Sequence, residues 1–289
     1  MNKILNKLVP NIDYENGFKI DGKIHPFYSF SRPVSDEGWT DEMGEFLGEV
    51  SGEHFLDVYN RRLAVAGIRD KLRDAGGHYI DVGCSSGYLL EEVARLFPHA
   101  DIYGADYFSG ELVKCHQHLP QVPLFQVDLV NCSFENDLFD AITCLNVLEH
   151  IKDDVAALRH LCRILKPGGV LFISVPAAPH LYDIYDEIHC HVRRYGLREL
   201  KQKTEDAGLK VLRMNYFASF IYPAFYVAKK INKYRYSKLA LADKKRMVYQ
   251  QAAATQRSGI MEKVCAAEQY IGKYATFPFG IRAYVVATK

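Results

Sequence analysis

The sequence lacks a long uncharged apolar segment. The longest such run, Tyr216–Ala228, has 13 residues and contains Pro223, whereas a bilayer-spanning helix needs about 20. The first ten residues interrupt short apolar pairs with Lys3 and Lys7, unlike the continuous apolar core of a secretory signal. We therefore expect a protein that is neither exported nor membrane-spanning and that resides in the cytoplasm.

Paired cysteines and net charge are also missing. The seven cysteines form no C-x-x-C pair and are odd in number, which favours reduced thiols over disulfides or a cysteine-rich zinc site. The formal net charge is +1, so no global field attracts nucleic acid or an anionic membrane. The 289 residues, 48% of them hydrophobic and 25% charged, are typical of a globular chain with one large domain or two modest ones.

Strand-like and helix-like segments alternate from residue 79 onward. Short apolar runs predict strands at 79–82, 101–105, 124–127, 141–145, 170–175, 211–216 and 282–287. Helical periodicity between the early strands indicates an α/β fold with a parallel sheet and helices on both faces. We expect residues 1–76 to form an N-terminal helical extension that acts as a lid. In the remaining unit, 77–289, the helical segment at about 217–280 is predicted to be an inserted cap.

A glycine-bearing turn, Gly83-Cys84-Ser85-Ser86-Gly87, follows the strand at 79–82. Glycine lets the backbone approach a ligand at the carboxyl edge of an open sheet. The turn lacks the G-x-G-x-x-G spacing of a dinucleotide site. Asp106 and Asp128 end the next two strands, and no arginine stands beside Asp106 to receive a 2′-phosphate. Carboxylates at successive strand ends suit a cationic nucleoside better than a pyrophosphate.

With these motifs the sequence resembles the class I S-adenosylmethionine-dependent methyltransferases, in the small-molecule branch that includes ubiquinone- and menaquinone-pathway enzymes. The matching pieces are Asp81–Gly87, Gly104-Ala-Asp106, Val127-Asp128-Leu129, Phe139–His150 and Arg163–Gly169. The resemblance implies a Rossmann-like fold with a seven-stranded, mostly parallel sheet whose last strand is antiparallel. Outer segments, Glu53–Phe55 with Arg61-Arg62, Glu187–Tyr195 and Pro278–Ala287, resemble a bacterial subgroup associated with polysaccharide or glycolipid biosynthesis.

The resemblance also implies which residues hold the cofactor, S-adenosylmethionine. The turn would hold its methionine part, Asp106 its ribose, Asp128 with Leu129 its adenine, and Asn146 would lie near the methyl group. The full set of implied cofactor residues is Asp81, Gly83, Cys84, Ser85, Gly87, Asp106, Tyr107, Asp128, Leu129 and Asn146. The chain departs from the family pattern at Ser85, where glycine is usual, which crowds the turn slightly.

The candidate catalytic groups are histidines. Methyl transfer from a sulfonium needs alignment above all, and a general base matters only when the acceptor must lose a proton. The predicted residues are His189, His191 and His150 for catalysis, and Arg193, Arg194 and Tyr195 for substrate binding. Two alternatives stay open for His189 and His191, a purely structural role or a metal site with Asp183 or Asp186. Our expectation is a site without metal.

The net charge of +1 includes two local clusters of opposite charge. An acidic stretch covers residues 36–57, and a basic stretch from Lys229 to Arg246 follows the apolar run. The clusters could pair or stay solvated, or residues 216–246 could contact an anionic membrane at its inner face. Nucleic acid is not an expected partner, since Asn146 is followed by Val-Leu-Glu and not by the motif of base-methylating enzymes.

The partner that we expect is a small-molecule acceptor. The predicted reaction is methylation of an oxygen, on a substrate such as a sugar or a lipid-linked glycan intermediate. The alternatives are N- or C-methylation of another metabolite, such as a quinone or natural product, and a non-catalytic cofactor-binding partner subunit. The sequence does not predict an oligomeric state.

Overall fold

An eight-stranded sheet organises the residues that the computed structural model describes, namely 2–30, 52, 54–73, 76–236, 243–244, 246–247 and 259–289. From edge to edge its strands are β10 (Lys210–Phe217), β11 (Arg282–Thr288), β9 (Leu165–Pro176), β8 (Phe139–Leu145), β5 (His78–Val82), β6 (Asp101–Asp106), β7 (Leu124–Gln126) and β4 (Tyr28–Ser29). Only β11 runs antiparallel to its neighbours within this sheet. The predicted Rossmann-like α/β sheet is confirmed, with β4 as an additional edge strand.

Helices cover both faces of the sheet, because alternate residues of each buried strand point to opposite sides. Ile80 and Val82 face one apolar cluster, and Tyr79 faces the other. The first cluster includes residues of α1 (Asn2–Leu8), α5 (Asp154–Ile164) and α7 (Leu197–Asp206). The second includes residues of α2 (Phe55–Leu72), α3 (Tyr88–Leu96), α4 (Ser109–His118) and α9 (Gly259–Ile271). Most of the core thus lies on the two faces of one sheet.

The N-terminal segment is less helical than predicted. After α1 it forms a small antiparallel sheet of β1 (Asp13–Tyr14), β2 (Phe18–Ile20) and β3 (Lys23–His25). The connecting turns, Asn16-Gly17 and Asp21-Gly22, have positive φ at all four residues, which matches the backbone of tight hairpin turns. These turn residues are the signal for strands that the sequence prediction left unused.

The two ends of the predicted extension have different roles. Residues 2–30 pack on the β7 edge. There the centroid of the Phe18 ring lies 5.5 Å from that of Phe125 and 5.7 Å from that of Tyr28. Helix α2 instead packs on β8 and β9 and presents Phe55 and Asn60 to the main cavity. Residues 55–72 therefore pack with the central sheet, whereas none of residues 2–30 lines the cavity.

The segment between β10 and β11 contains α8 (Tyr222–Tyr236) and α9. Glu268 of α9 accepts hydrogen bonds from the Tyr59 hydroxyl of α2 (3.3 Å) and from the Phe220 amide (2.9 Å). Most of residues 237–258, in the middle of the predicted helical cap, lie outside the described residues, as does most of the acidic stretch at 36–57. No helix in the described part of the chain has both the length and the apolarity to cross a bilayer.

Candidate active site

The turn after β5 has an unusual backbone. Gly83, Ser85 and Gly87 have φ values of 83°, 46° and 92°, in the left-handed region that favours glycine. A Cβ at Gly83 would lie 2.2 Å from Val147 Cγ2, and one at Gly87 would lie 2.6 Å from Cys115 Sγ. Glycine is therefore required at both ends of the turn, by conformation and by close packing.

Ser85 tolerates its left-handed conformation with the help of two hydrogen bonds. Its amide donates to Asp106 Oδ2 at 2.8 Å, and its hydroxyl donates to Glu111 Oε2 at 2.8 Å. Cys84 beside it is buried, and a hydrogen bond with Cys115 together with burial raises the pKa of its thiol well above the usual value. Cys84 is thus a neutral packing residue, whereas Ser85 is anchored to two carboxylates outside the turn, those of Asp106 and Glu111.

Two carboxylates lie at the ends of β5 and β6. Asp81 accepts a hydrogen bond from Thr143 Oγ1 at 2.6 Å, and burial raises its pKa to about 7. Asp106 accepts the amides of Phe108 at 2.9 Å and Ser85 at 2.8 Å, one on each oxygen, and burial raises its pKa to about 6. A carboxylate has about four lone-pair sites, so Asp106 fits a ligand with two neighbouring hydroxyls such as a ribose.

Asp128 and Asn146 continue this edge. Asp128 caps a short helical turn through the Val130 amide (2.9 Å) and its second oxygen accepts from Asn131 (3.0 Å). Asn146 has φ 55°, and its buried Oδ1 has no hydrogen-bond partner within the described residues. A buried unpaired oxygen suits a ligand with a hydrogen-bond donor. Tyr107 and Leu129 line the same cavity.

Three histidines meet at the other end of the cavity. The rings of His150 and His191 are 4.8 Å apart between centroids, and His189 stacks on Tyr185 at 3.9 Å. Burial lowers the pKa of His189 to about 4 and also lowers those of His150 and His191. All three rings are therefore neutral near pH 7 and have a nitrogen that can accept a proton.

Asp186, in the short helix α6 (Ile184–Ile188), holds this end together. Its fully buried carboxylate accepts from His191 Nδ1 at 2.8 Å and from Arg194 Nη1 at 2.8 and 3.1 Å. Lys229 of α8 lies 3.4 Å away and also pairs with Asp183. Burial alone would raise the pKa of Asp186, but the His191 hydrogen bond and the two cations hold it well below the usual range.

A single cavity of about 1220 Å³ joins the two ends. Asp81, Asp106 and Asn146 line one part of it, and His150 and His191 line another. Parallel strands place their carboxyl ends at one edge of the sheet, where open α/β folds bind ligands. The cavity can therefore hold a nucleoside-type cofactor and a second molecule side by side.

The profile of a family described as "Methyltransferase domain" matches residues 55–214, more than half of the chain. The chain belongs to this methyltransferase family. Among curated relatives, a ubiquinone biosynthesis O-methyltransferase of Xanthomonas oryzae pv. oryzae (strain PXO99A) is 38% identical over 125 residues, 41% of this chain and 47% of the relative. That of Xanthomonas campestris pv. campestris (strain B100) is 37% identical over the same shares. The chain thus matches about half the length of these relatives.

Solved structures support the fold of this methyltransferase domain. The phosphoethanolamine N-methyltransferase 2 of Haemonchus contortus, in complex with S-adenosyl-L-methionine, superposes with a TM-score of 0.58 over 89% of this chain and 59% of its own, at 18% identity. The [4+2]-cyclase SpnF superposes with a TM-score of 0.56 over 86% and 93%, also at 18% identity. At this identity the likeness concerns the fold alone.

The methyltransferase domain places the predicted substrate-binding residues differently from expectation. Tyr195 is buried, and its hydroxyl donates to the Asp154 carboxylate at 2.7 Å, with Leu148 O also within 3.0 Å. Arg193 pairs with Asp154 at 2.9 Å. Neither lines the cavity. Arg194 does, but its guanidinium is occupied by Asp186 and by the carbonyls of Ala177 and Ile281. These three residues build the domain and do not present free donors to a substrate.

Two residues of the methyltransferase site escaped the sequence prediction. Glu149 is fully buried in the cavity wall, and burial raises its pKa to about 8. Lys229 was predicted only as part of a basic stretch that could pair, stay solvated or contact a membrane, and it is 6% exposed and ion-paired with Asp183. The position of Glu149 beside His150 was an available signal, because an acidic residue within an apolar strand-end motif is unusual.

Proposed function

We propose that the chain transfers the methyl group of S-adenosylmethionine to an oxygen of a small-molecule acceptor. The observation that carries this proposal is the joint lining of one cavity by the strand-end carboxylates and by the neutral histidines. The O-methyltransferases among the curated relatives support oxygen as the acceptor atom. The cofactor brings the reactive methyl group, so the protein supplies binding, alignment and a site shielded from water.

The carboxylate end binds the cofactor. Asp106 accepts the ribose hydroxyls, Asp128 accepts the adenine amine, and Asp81 with Asn146 faces the methionine part. The Gly83–Gly87 turn lets the backbone approach this part closely. A positively charged sulfonium also suits a wall with buried carboxylates, since opposite charge offsets the penalty of burying them.

The histidine end accepts the proton that the acceptor hydroxyl loses. The Asp186 carboxylate accepts from Nδ1 of His191, which leaves Nε2 as the proton-accepting nitrogen. His189 is the second candidate, because it is neutral at physiological pH and lines the same cavity. Lys229 and Arg194 beside Asp186 keep that carboxylate ionised, so it orients the ring without taking the proton itself.

The acceptor class that we propose is a sugar or a lipid-linked glycan intermediate, presented at the inner face of a membrane by contact through residues 216–246. Exposed apolar side chains support this contact, with Val227 54%, Ile231 44% and Tyr234 89% exposed. The exposed Lys230 and Arg235 add positive charge. The basic surface is smaller than the sequence suggested, because Lys229 and Lys244 pair with Asp183 and Glu187.

Vesicle binding tests the membrane contact. The protein should sediment at low salt with vesicles that contain anionic phosphatidylglycerol, and not with neutral phosphatidylcholine vesicles. Reversal of charge at Lys230 and Arg235 to Glu should abolish the interaction. Equal recovery in the supernatant with both vesicle types would refute the contact and leave the methyl-transfer proposal intact.

Labelled cofactor tests the reaction. Calorimetry should give saturable binding of S-adenosylmethionine, and incubation with the methyl-labelled cofactor and a pool of hydroxylated metabolites and glycan intermediates should label a product. Asp106→Asn is the negative control for cofactor binding, and Arg193→Ala is a control outside the cavity. Absence of cofactor binding at millimolar concentration would refute the proposed function.

A further inference from the structure

The acceptor end of the cavity contains three side chains with metal-ligating atoms, which come from two separate segments. Glu149 and His150 follow β8, and His191 lies after α6. One ligand atom from each residue lies within 4.8 Å of the other two. Two imidazoles and one carboxylate form a ligand set that binds divalent transition ions in proteins and leaves positions open for other ligands.

The carboxylate of Glu149 points to a ligand. The residue is fully buried, and neither of its oxygens has a hydrogen-bond partner within the described part of the chain. A buried carboxylate without partners is strongly disfavoured, whether ionised or protonated, unless a bound group satisfies it. The groups that oppose the effect of burial on its pKa are the backbone amide of Glu149 itself and, through space, Arg282 and Arg194, and neither arginine bonds to it.

The histidines are already oriented as metal ligands are. The Asp186 carboxylate lies 2.8 Å from Nδ1 of His191, an arrangement that fixes the tautomer and directs Nε2 towards a metal. Backbone carbonyls of His189 and Cys190 interact with the His150 ring, and its plane stands at 76° to that of His191. The outer groups that normally position metal-binding histidines are therefore present.

We propose that Glu149, His150 and His191 bind one divalent transition-metal ion, such as Zn²⁺, at the acceptor end of the cavity. Ligand atoms around tetrahedral Zn²⁺ lie about 3.4 Å apart, so ion binding would draw atoms that now lie within 4.8 Å of one another together by at most about 1.4 Å. The ion would lower the pKa of an acceptor hydroxyl that reaches it from the cavity. His191 would then be a ligand, so His189, which lines the same cavity, would take the proton. This last step rests on the proposed function, whereas ion binding does not.

Metal titration of the full chain tests the inference. Protein stripped with a chelator should bind one equivalent of Zn²⁺ or Mn²⁺ by calorimetry, with a rise in melting temperature. Glu149→Gln should weaken this binding by about tenfold or more, and His191→Ala should do the same. His180→Gln is the matched control, because His180 lies outside both the cluster and the cavity lining, and its affinity should equal that of the wild type.

Two results would overturn the inference. One is the absence of saturable metal binding to wild-type protein, and the other is equal affinity in Glu149→Gln and wild type, which would assign the ion to another site. Affinity for S-adenosylmethionine is measured on the same samples, so a misfolded variant is recognised by loss of cofactor binding. Cofactor binding without metal binding would refute this inference alone, and the reverse result would refute the proposed function alone.

Discussion

Replacement of Asp186 by asparagine is the perturbation for which the structure gives the largest expected effect. The change keeps the size of the side chain and one acceptor oxygen but removes the negative charge between Arg194 and Lys229. The side chains of these two cations are 4% and 7% exposed, and that of Asp186 is 0% exposed. Both cations would lose a counter-charge in a region where water cannot replace it.

The expected loss of unfolding free energy is about 3–5 kcal/mol, the range for breaking one side of a buried ion pair. For a chain of this size it corresponds to a fall in melting temperature of very roughly 6–20 °C. The matched control is Glu187→Gln. The adjacent Glu187 also forms one ion pair, with Lys244, but its side chain is 51% exposed. Exposed pairs contribute about 0–1 kcal/mol.

Urea unfolding, followed by fluorescence and circular dichroism together, measures both variants. The pKa of Asp186 lies below its ordinary value of 3.8, so its stabilising contribution is present above pH 4 and is lost as the pH falls below that value. The difference between wild type and Asp186→Asn should thus be constant from pH 5 to 8 and shrink in acid. Equal losses in the two variants, or a difference that grows in acid, would refute this reasoning.

Three further predictions concern single side chains. Asp106→Asn should weaken S-adenosylmethionine binding by about 100-fold in calorimetry, since hydrogen bonds to a charged group contribute about 1.5–3 kcal/mol each; an unchanged affinity would contradict the assignment. Burial raises the pKa of Asp81 to about 7. Between about pH 4 and 7 its carboxyl group is therefore protonated in the folded state and ionised in the unfolded state. As the pH rises across that interval, the free energy of unfolding of Asp81→Asn should increase relative to that of wild type by about 1.4 kcal/mol per pH unit. A difference between the two proteins that does not change with pH in urea unfolding would disprove this prediction. Arg193→Ala should leave the acceptor KM unchanged, because Arg193 points to Asp154 and away from the cavity; a several-fold rise in KM would restore its predicted substrate role.

The cofactor end could be predicted from the sequence because its chemistry is local. The Gly83–Gly87 turn, Asp106 and Asp128 each follow a strand directly, and a parallel sheet brings successive strand ends to one edge without further information. The sheet order itself followed from the resemblance. This half of the site therefore depends on short motifs and on one topological rule.

The acceptor end could not be predicted in the same way, because its geometry depends on contacts between residues that are far apart in the sequence. Lys229 pairs with Asp183, which lies 46 residues earlier in the sequence, and no local sequence pattern predicts that contact. Arg193 and Tyr195 were assigned to the substrate because they follow the histidines in sequence, yet both turn towards Asp154. Residues 189–196 form an irregular segment without helical or strand periodicity, so closeness in sequence to the histidines did not predict which way these side chains point.

Strand β4 was missed because it has only two residues, Tyr28 and Ser29, and no alternation. It nevertheless covers the β7 edge through Tyr28↔Phe125 and Ser29↔Gln126. An open edge with unpaired backbone groups is a template for strands of other molecules. Residues 2–30, none of which lines the cavity, thus cover a sheet edge that would otherwise be open, and we expect their removal to lower solubility before it affects the cavity.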